Sequence, residues 1–122
     1  MSVVQNAGYQ DIRDYIQANW KYIELRDEEQ DPVLRIGIED PRVTWTHTTG
    51  AQTLEMTCVI KGNDSDVASL LPQTFAGAAL FKVASGGSAM SEEEFTNFTM
   101  SSESDQLTIV YQLEVPEVPQ DS

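Results

Sequence analysis

The residues of this chain that could do chemistry are few, and their spacing does not assemble a reactive centre. His47 is the single histidine, no cysteine lies beside it, and no Gly-x-Ser-x-Gly element accompanies it. A nucleophile–histidine–carboxylate triad would therefore need both partners of His47 to come from distant parts of the chain. Because His47 ends an alternating segment and precedes a polar loop, we interpret it as a structural or surface imidazole.

Two runs of carboxylates are the obvious candidates for acid–base catalysis, Glu28–Glu29 and Glu92–Glu94. Glycosidase-type chemistry requires two carboxyl groups that are held roughly 5–10 Å apart across a cleft. Consecutive acids on turns rarely provide that geometry. We therefore interpret both runs as solvated charge that lies on turns.

Oxygen-rich turns and paired glycines raise the question of ion or phosphate binding. Asn63–Asp66 and Asp27–Asp31 look like Ca²⁺ turns, but neither has the glycine and distal glutamate of an EF-hand loop. Gly86–Gly87 has no lysine or helix after it, so it is interpreted as a turn. The single cysteine, Cys58, lies on the apolar side of an alternating segment and is expected to be a buried thiol. The sequence thus predicts no catalytic residue, no metal site and no cofactor.

The elements that must position these residues are mostly strands. Polar and apolar residues alternate through Thr53–Lys61 and Leu107–Val115, and a period of two places every second side chain on one face of a strand. The predicted inner faces are Leu54, Met56, Cys58 and Ile60 in the first strand, and Leu107, Ile109, Tyr111 and Leu113 in the second. We expect these two faces to share the core.

Shorter alternating segments predict two hairpins in the first half of the chain. Lys21–Arg26 and Val33–Ile36 flank the acidic turn Asp27–Pro32. Arg42–His47 precedes a short glycine-containing loop that leads into Thr53–Lys61. Four aromatic side chains are expected to lie in or near the core: Trp20, Tyr22, Trp45 and Tyr111.

The second half of the chain gives a less uniform pattern. Ala76–Ala84 has apolar residues at a period of two and is predicted to be a strand. Val67–Phe75 is ambiguous, because its first residues fit one helical turn and Pro72 would stop that turn. Met90–Met100 has two phenylalanines among polar residues and is expected to be weakly structured.

A single amphipathic helix is expected over Gly8–Asn19. Its predicted apolar face consists of Ile12, Tyr15, Ile16 and Asn19, and its predicted outer face of Gln10, Arg13, Asp14 and Gln17. Three helical turns with one apolar stripe are not stable alone in water. The helix is therefore expected to pack against the sheet that follows it.

These elements predict one mainly β domain, an antiparallel β-sandwich or small open barrel with one N-terminal helix. The expected organisation is an N-terminal arm (1–7), a β-rich domain (8–115) that includes the helix (8–19), and an extended C-terminal tail (116–122). A length of 122 residues fits one domain. The alternation favours antiparallel sheets, because parallel sheets that are covered on both faces show continuous apolar runs.

The charge of the chain limits its partners. Twenty acids and seven bases give a formal net charge of −13, and eight acids but no base follow Lys82. Such a surface repels DNA and anionic lipid, so the expected partners are proteins only. Solubility, a high-salt source or a basic partner would each explain the acidity. No apolar run approaches the ~20 residues of a membrane span, and the first residues lack the features of a secretory signal.

Several segments resemble, in general sequence character, the small structural proteins of tailed-phage virions. They are Tyr22–Asp27, Arg42–His47, Leu71–Ala76 and the threonine-rich strands that follow. Proteins of that class are compact acidic β-modules of roughly this length that serve as decoration, head or tail components. The resemblance implies a non-enzymatic structural subunit of a virion or similar symmetric assembly, put together in the host cytoplasm. Its partners would be copies of itself or a viral shell or tail protein.

The acidity leaves a second function open, that of a DNA mimic or inhibitor that binds a basic protein. Mimicry needs carboxylates on rigid elements at a spacing near that of duplex DNA, which carries one negative charge per ~1.7 Å of its axis. Glu92–Glu94, Glu103 and Asp105 are expected on turns. This expectation favours the assembly role.

Overall fold

A computed structural model of the chain describes residues 2–115, which form one helix and seven strands. These are α1 (Asn6–Asn19), β1 (Tyr22–Arg26), β2 (Pro32–Gly37), β3 (Val43–Trp45), β4 (Thr53–Lys61), β5 (Gln73–Phe81), β6 (Ser91–Met100) and β7 (Gln106–Glu114). A short 3-10 turn, Ala68–Leu70, precedes β5. The predicted tail, 116–122, lies outside the described residues.

The strands form two antiparallel sheets. Sheet A has four strands in the order β2-β1-β5-β6, and sheet B has three in the order β3-β4-β7. The two predicted hairpins, β1–β2 and β3–β4, are confirmed. Over the described residues the sheets do not close into a barrel. The mainly β architecture predicted from the sequence is therefore a small sandwich with one helix.

The core lies between the two sheets, and the alternating residues of β4 and β7 form one wall of it. Leu54, Met56, Cys58 and Ile60 are buried, as are Ile109 and Tyr111 on the paired strand. The opposite wall comes from sheet A and includes Ile23, Leu25, Phe75, Ala78 and Leu80. The prediction that the inner faces of β4 and β7 share one core is confirmed.

The expectation of weak structure for Met90–Met100 is wrong, because this segment forms β6. It pairs with β5, with Phe98 opposite Phe75, and an irregularity in register follows Phe75. The sequence pattern is weak because β6 is the last strand of its sheet and most of its side chains are exposed.

Several predicted boundaries also move. β5 begins at Gln73 and ends at Phe81, so it takes in the end of the ambiguous Val67–Phe75 segment. A cis peptide bond joins Leu71 to Pro72 just before it. Pro32 belongs to β2 rather than to the preceding turn. The predicted strand Arg42–His47 is reduced to the three residues of β3.

Ile16 of the predicted apolar helix face is buried as expected, but the predicted burial of Ile12 and Tyr15 is wrong. Arg13 and Ile16 are the buried residues of the helix, whereas Ile12 and Tyr15 are 42% and 50% exposed. The Arg13 guanidinium donates a hydrogen bond to the carbonyl oxygen of Val115, just beyond β7. This contact turns a face with a charged residue toward the sheet, because the aliphatic stem of arginine packs while its head finds an acceptor.

The helix also begins earlier than predicted, since it takes in the last two residues of the expected arm 1–7. Among the described residues, none of the helical segments combines the length and the apolar character that a membrane crossing needs.

Candidate functional site

His47, the first candidate for chemistry, joins the β3–β4 loop to the helix. Its Nδ1 accepts a hydrogen bond from the backbone N–H of Glu55 at 3.1 Å. In the neutral ring the proton therefore lies on Nε2, which is 3.1 Å from Oε1 of Gln17 and donates to it. The ring also makes an edge contact with Trp45 at 5.7 Å between centroids. Both ring nitrogens thus have structural partners.

A polar cleft of about 450 Å³ lies beside His47, between α1 and the β3–β4 loop. Its polar groups largely pair with one another. Gln10 donates to Asp14 at 2.8 Å, and Gln17 accepts from His47. Thr49 and Asp14 also line the cleft, but among the described residues neither is hydrogen-bonded to His47.

The oxygen-rich turn Asn63–Asp66 binds a guanidinium of this chain. Arg42 donates to Asp40, Asp64 and Asp66 at 2.8–3.2 Å. Its hydrogen bonds lower the pKa of Asp40 and of Asp66 below their usual values and raise that of Arg42. No group of three metal-ligating side chains occurs in residues 2–115. The cluster ties the β2–β3 connection to the turn after β4.

Local hydrogen bonds explain one of the other candidate turns, and glycine backbone angles explain the second. One carboxylate oxygen of Asp27 accepts the N–H groups of Glu29 and Asp31, both at 2.9 Å, which folds the β1–β2 turn. Gly86 and Gly87 have φ angles of +67° and +73°, which glycine adopts at low cost. The hydrogen bonds of Asp27 and the positive φ angles of Gly86 and Gly87 therefore explain why each segment forms a turn.

Cys58 is fully buried in the core, as expected. Burial raises the pKa of its thiol to about 12. The thiolate, which is the nucleophilic form, is therefore scarcely populated at neutral pH.

Sequence reasoning missed a charged network on the outer face of sheet A. Glu24 is 5% exposed and accepts hydrogen bonds from Arg26 and Arg35 at 2.6–3.0 Å. Arg35 also lies over the ring of Phe81, 3.6 Å from its centroid. Ala79, opposite Glu24 in the register, leaves room for these side chains. The alternation of Tyr22, Glu24 and Arg26 in β1 was the available signal.

The three glutamates of β6 lie on a strand and not on a turn, which corrects the expectation from sequence. They pair with Ala79, Ala78 and Gly77 of β5. Glu92 lies on the outer face of sheet A, where Arg26 donates to it.

Glu93 points to the opposite side of β6, toward the space between the sheets. It lines a groove there, and burial raises its pKa. No lysine or arginine is among the described residues that line this groove.

The groove lies where the sandwich is open. β6 is the last strand of sheet A, and β7 is the last strand of sheet B. The space between them is about 480 Å³, and its apolar lining consists of Phe95, Phe98, Leu107, Ile109 and Val110. Val110 is 48% exposed. The groove is thus an apolar surface between two strand edges.

Contacts fix both ends of the groove. At one end the hydroxyl groups of Ser91 and Tyr111 are 2.6 Å apart and hydrogen-bonded. At the other end a carboxylate oxygen of Asp105 accepts the N–H groups of Ser101 and Ser102 and folds the β6–β7 turn. A Cβ atom on Gly62 would lie 2.1 Å from the carbonyl oxygen of Ser102, so the turn packs closely on the chain after β4.

The pairing of β7 with β4 determines which backbone groups of β7 point away from sheet B. Just beyond the two ends of this ladder, the carbonyl of Asp105 accepts the N–H of Gly62, and the N–H of Val115 donates to Gln52. Bonding alternates along an antiparallel strand. The odd-numbered residues of β7 therefore bond to β4, and the even-numbered ones turn their backbone groups toward the groove.

The even-numbered residues of β7 that line the groove are Thr108 and Val110, and the side chains of both are exposed. The arrangement offers backbone donors and acceptors beside an apolar floor and one exposed, partly desolvated carboxylate. Unpaired backbone groups of this kind can pair with an extended polypeptide. No protein-family model, no curated protein and no solved structure matches this chain.

Proposed function

We propose that this protein is a non-enzymatic structural subunit of a symmetric protein assembly, namely the virion of a tailed phage, as a decoration, head or tail component. The observation that carries the proposal is the apolar groove between the two terminal strands β6 and β7. The resemblance of Tyr22–Asp27, Arg42–His47 and Leu71–Ala76 to phage structural proteins supports the virion as the assembly.

The groove supports a protein partner for a physical reason. A long strand edge presents unpaired N–H and C=O groups, and proteins usually cover or block such edges. Here two edges of ten and nine residues lie on the same side of the sandwich and border apolar side chains. A neighbouring subunit that covers this surface would satisfy the backbone groups and bury the phenylalanines.

The placement of the acids favours assembly over DNA mimicry. Glu92 is paired with Arg26, Glu93 points into the groove, and Asp105 is held within its own turn. Neighbouring acids of β6 therefore lie on opposite faces of the strand and do not form one row of phosphate-like charges.

The proposal is tested on particles that are purified from cells that make the protein. We expect the chain to co-sediment with the particles in a density gradient at a fixed ratio to the shell protein, measured by quantitative mass spectrometry. A variant with a blocked groove, Phe98→Glu, should be depleted from the particles, whereas the exposed-site control Glu94→Gln should not. Recovery of the wild-type chain only in the free fraction would contradict the proposal.

A further inference from the structure

We infer that the β6–β7 groove binds an extended, basic segment of a different protein, which pairs with the free edge of β7 and brings a lysine or arginine to Glu93. This inference rests on the proposed function, because it names the class of partner for the same groove. The open part of β7, Leu107–Val110, is about 13 Å long, which suits a segment of four or more residues.

The backbone of β7 determines how the segment binds. Thr108 and Val110 turn their N–H and C=O groups away from β4, so a strand added here would pair with both residues. Side chains on one face of the added strand would then lie against Phe95 and Phe98. The apolar positions of the segment should consequently alternate with its polar ones.

Glu93 determines the charge of the segment. Its carboxylate is exposed but partly desolvated at the groove, which raises its pKa. It makes no ion pair among the described residues, because Arg26, which lines the adjoining cavity with it, pairs with Glu24 and Glu92. A charge in this position costs free energy until a cation approaches. A lysine or arginine on the added strand would supply that cation in a surrounding of low polarity, where ion pairs are stronger than in water.

The same carboxylate argues against a second copy of this chain as the occupant. Inward-pointing charges on edge strands prevent edge-to-edge association of identical sheets. A second copy would bring its own Glu93 and a formal net charge of −13. The chain's own segment 116–122 has two acids, two prolines and no base, and proline has no N–H for a strand ladder.

The test uses the full 122-residue chain and a cell-surface library of random peptides. Enriched peptides should alternate apolar residues with lysine or arginine. They should bind wild type and Thr108→Val at least about tenfold more tightly than Thr108→Pro, which lacks the outward N–H but keeps the ladder to β4. The charge reversal Glu93→Lys should weaken binding to a similar extent.

Hydrogen exchange gives a readout that does not depend on a variant. The amides of Thr108 and Val110 should exchange rapidly in the free chain and become protected when an enriched peptide is bound.

If Thr108→Pro does not fold, Val110→Pro with Val110→Thr as its control makes the same comparison. Circular dichroism of each variant checks the fold.

Four outcomes of the peptide and variant experiments would overturn the inference. They are no enrichment over an unrelated target, peptides that bind Thr108→Pro as tightly as wild type, peptides without basic residues that are insensitive to Glu93→Lys, and a wild-type dimer that Thr108→Pro abolishes. The last would assign the groove to a second copy. Nuclear Overhauser contacts from Val118 to Phe98 in the free chain would likewise assign it to the chain's own segment.

Failure of this inference is distinguishable from failure of the proposed function. Particles that incorporate Thr108→Pro as well as wild type would contradict the strand-pairing inference and leave the structural role intact. A chain that is absent from particles but binds basic peptides at the groove would contradict the structural role alone.

Discussion

On the outer face of sheet A, Glu24 is 5% exposed and lies between the guanidinium groups of Arg26 and Arg35. Two strands away, Glu93 lies at an apolar groove whose described lining residues include no base. Glu24 is buried, whereas Glu93 remains exposed and is only partly desolvated. Of these two carboxylates, only Glu24 accepts hydrogen bonds from cations among the described residues. The two regions therefore use charge for different purposes.

The difference shows how a buried charge can be assigned a role. A desolvated carboxylate that is fully hydrogen-bonded by basic side chains closes the surface above it, because nothing remains for a partner to satisfy. A desolvated carboxylate without a cation, beside unpaired backbone groups, leaves a cost that a partner can remove. The first arrangement stabilises the domain, and the second selects what binds to it.

The largest effect is expected from Glu24→Ala. The substitution removes the buried acceptor that Arg26 and Arg35 share, so the free energy of unfolding should fall by about 3 kcal/mol. The loss is limited because Arg26 keeps Glu92 as an acceptor and Arg35 keeps two backbone carbonyls. Urea denaturation at pH 7 measures it. The control Glu94→Ala removes an exposed acid from β6, in the same sheet, and should change stability by less than about 0.5 kcal/mol. Equal effects of the two substitutions would show that the charged network does not stabilise the sheet.

Gly62→Ala should cause the next largest loss of stability, because it displaces the β6–β7 turn at one end of the groove. The new Cβ would lie 2.1 Å from the carbonyl oxygen of Ser102, so the β6–β7 turn must move. Overpacking of this kind costs about 1–3 kcal/mol. Thermal unfolding measures the loss, and amide shifts of residues 101–105 report the displacement. Gly50→Ala is the comparison, since no atom lies within 4 Å of its Cβ position, although its φ of +83° adds strain. Unchanged shifts in Gly62→Ala would mean that the turn does not define the groove.

The sequence predicts the sheets well where burial alternates along one strand. β4 and β7 each have one buried and one exposed face, so apolar and polar residues alternate along their sequences. β6 does not, because most of its side chains are exposed and an irregularity in its register with β5 interrupts the alternation. The groove arises from the end positions of β6 and β7 in different sheets, and no local pattern encodes that placement.

The burial of Arg13 on the helix and the charged networks were missed for a related reason. Arg13 is buried because its acceptor is the carbonyl of Val115, 102 residues away. Glu24 and Arg35 are 11 residues apart and meet only after β1 and β2 pair. Periodicity reports which side chains share a face, but it does not report which charge has a partner across strands.

Arg42→Ala should lower stability by about 1–2 kcal/mol, since three carboxylates lose a partly exposed cation. The folded-state pKa values of Asp40 and Asp66 are lowered. Their contribution is therefore present above the unfolded pKa near 3.9 and is lost as pH falls through the lower folded values. The difference between Arg42→Ala and wild type should persist at pH 5 and shrink below about pH 4. Lys21→Ala, which removes an exposed base, is the control and should show neither effect.

The smallest effect, and the sharpest test of the comparison, is expected from Glu93→Gln. Burial raises the folded-state pKa of Glu93, so its charged form costs stability at neutral pH and this cost disappears as pH falls through the raised value. Because the side chain is still largely exposed, Glu93→Gln should stabilise the free domain at pH 7 by less than about 0.5 kcal/mol. The gain should vanish below about pH 4, where glutamate is protonated in both states. Paired Tm measurements at the two pH values detect the difference. If Glu93→Gln instead destabilises the domain at pH 7, Glu93 has a stabilising partner within the chain, and its contrast with Glu24 does not hold.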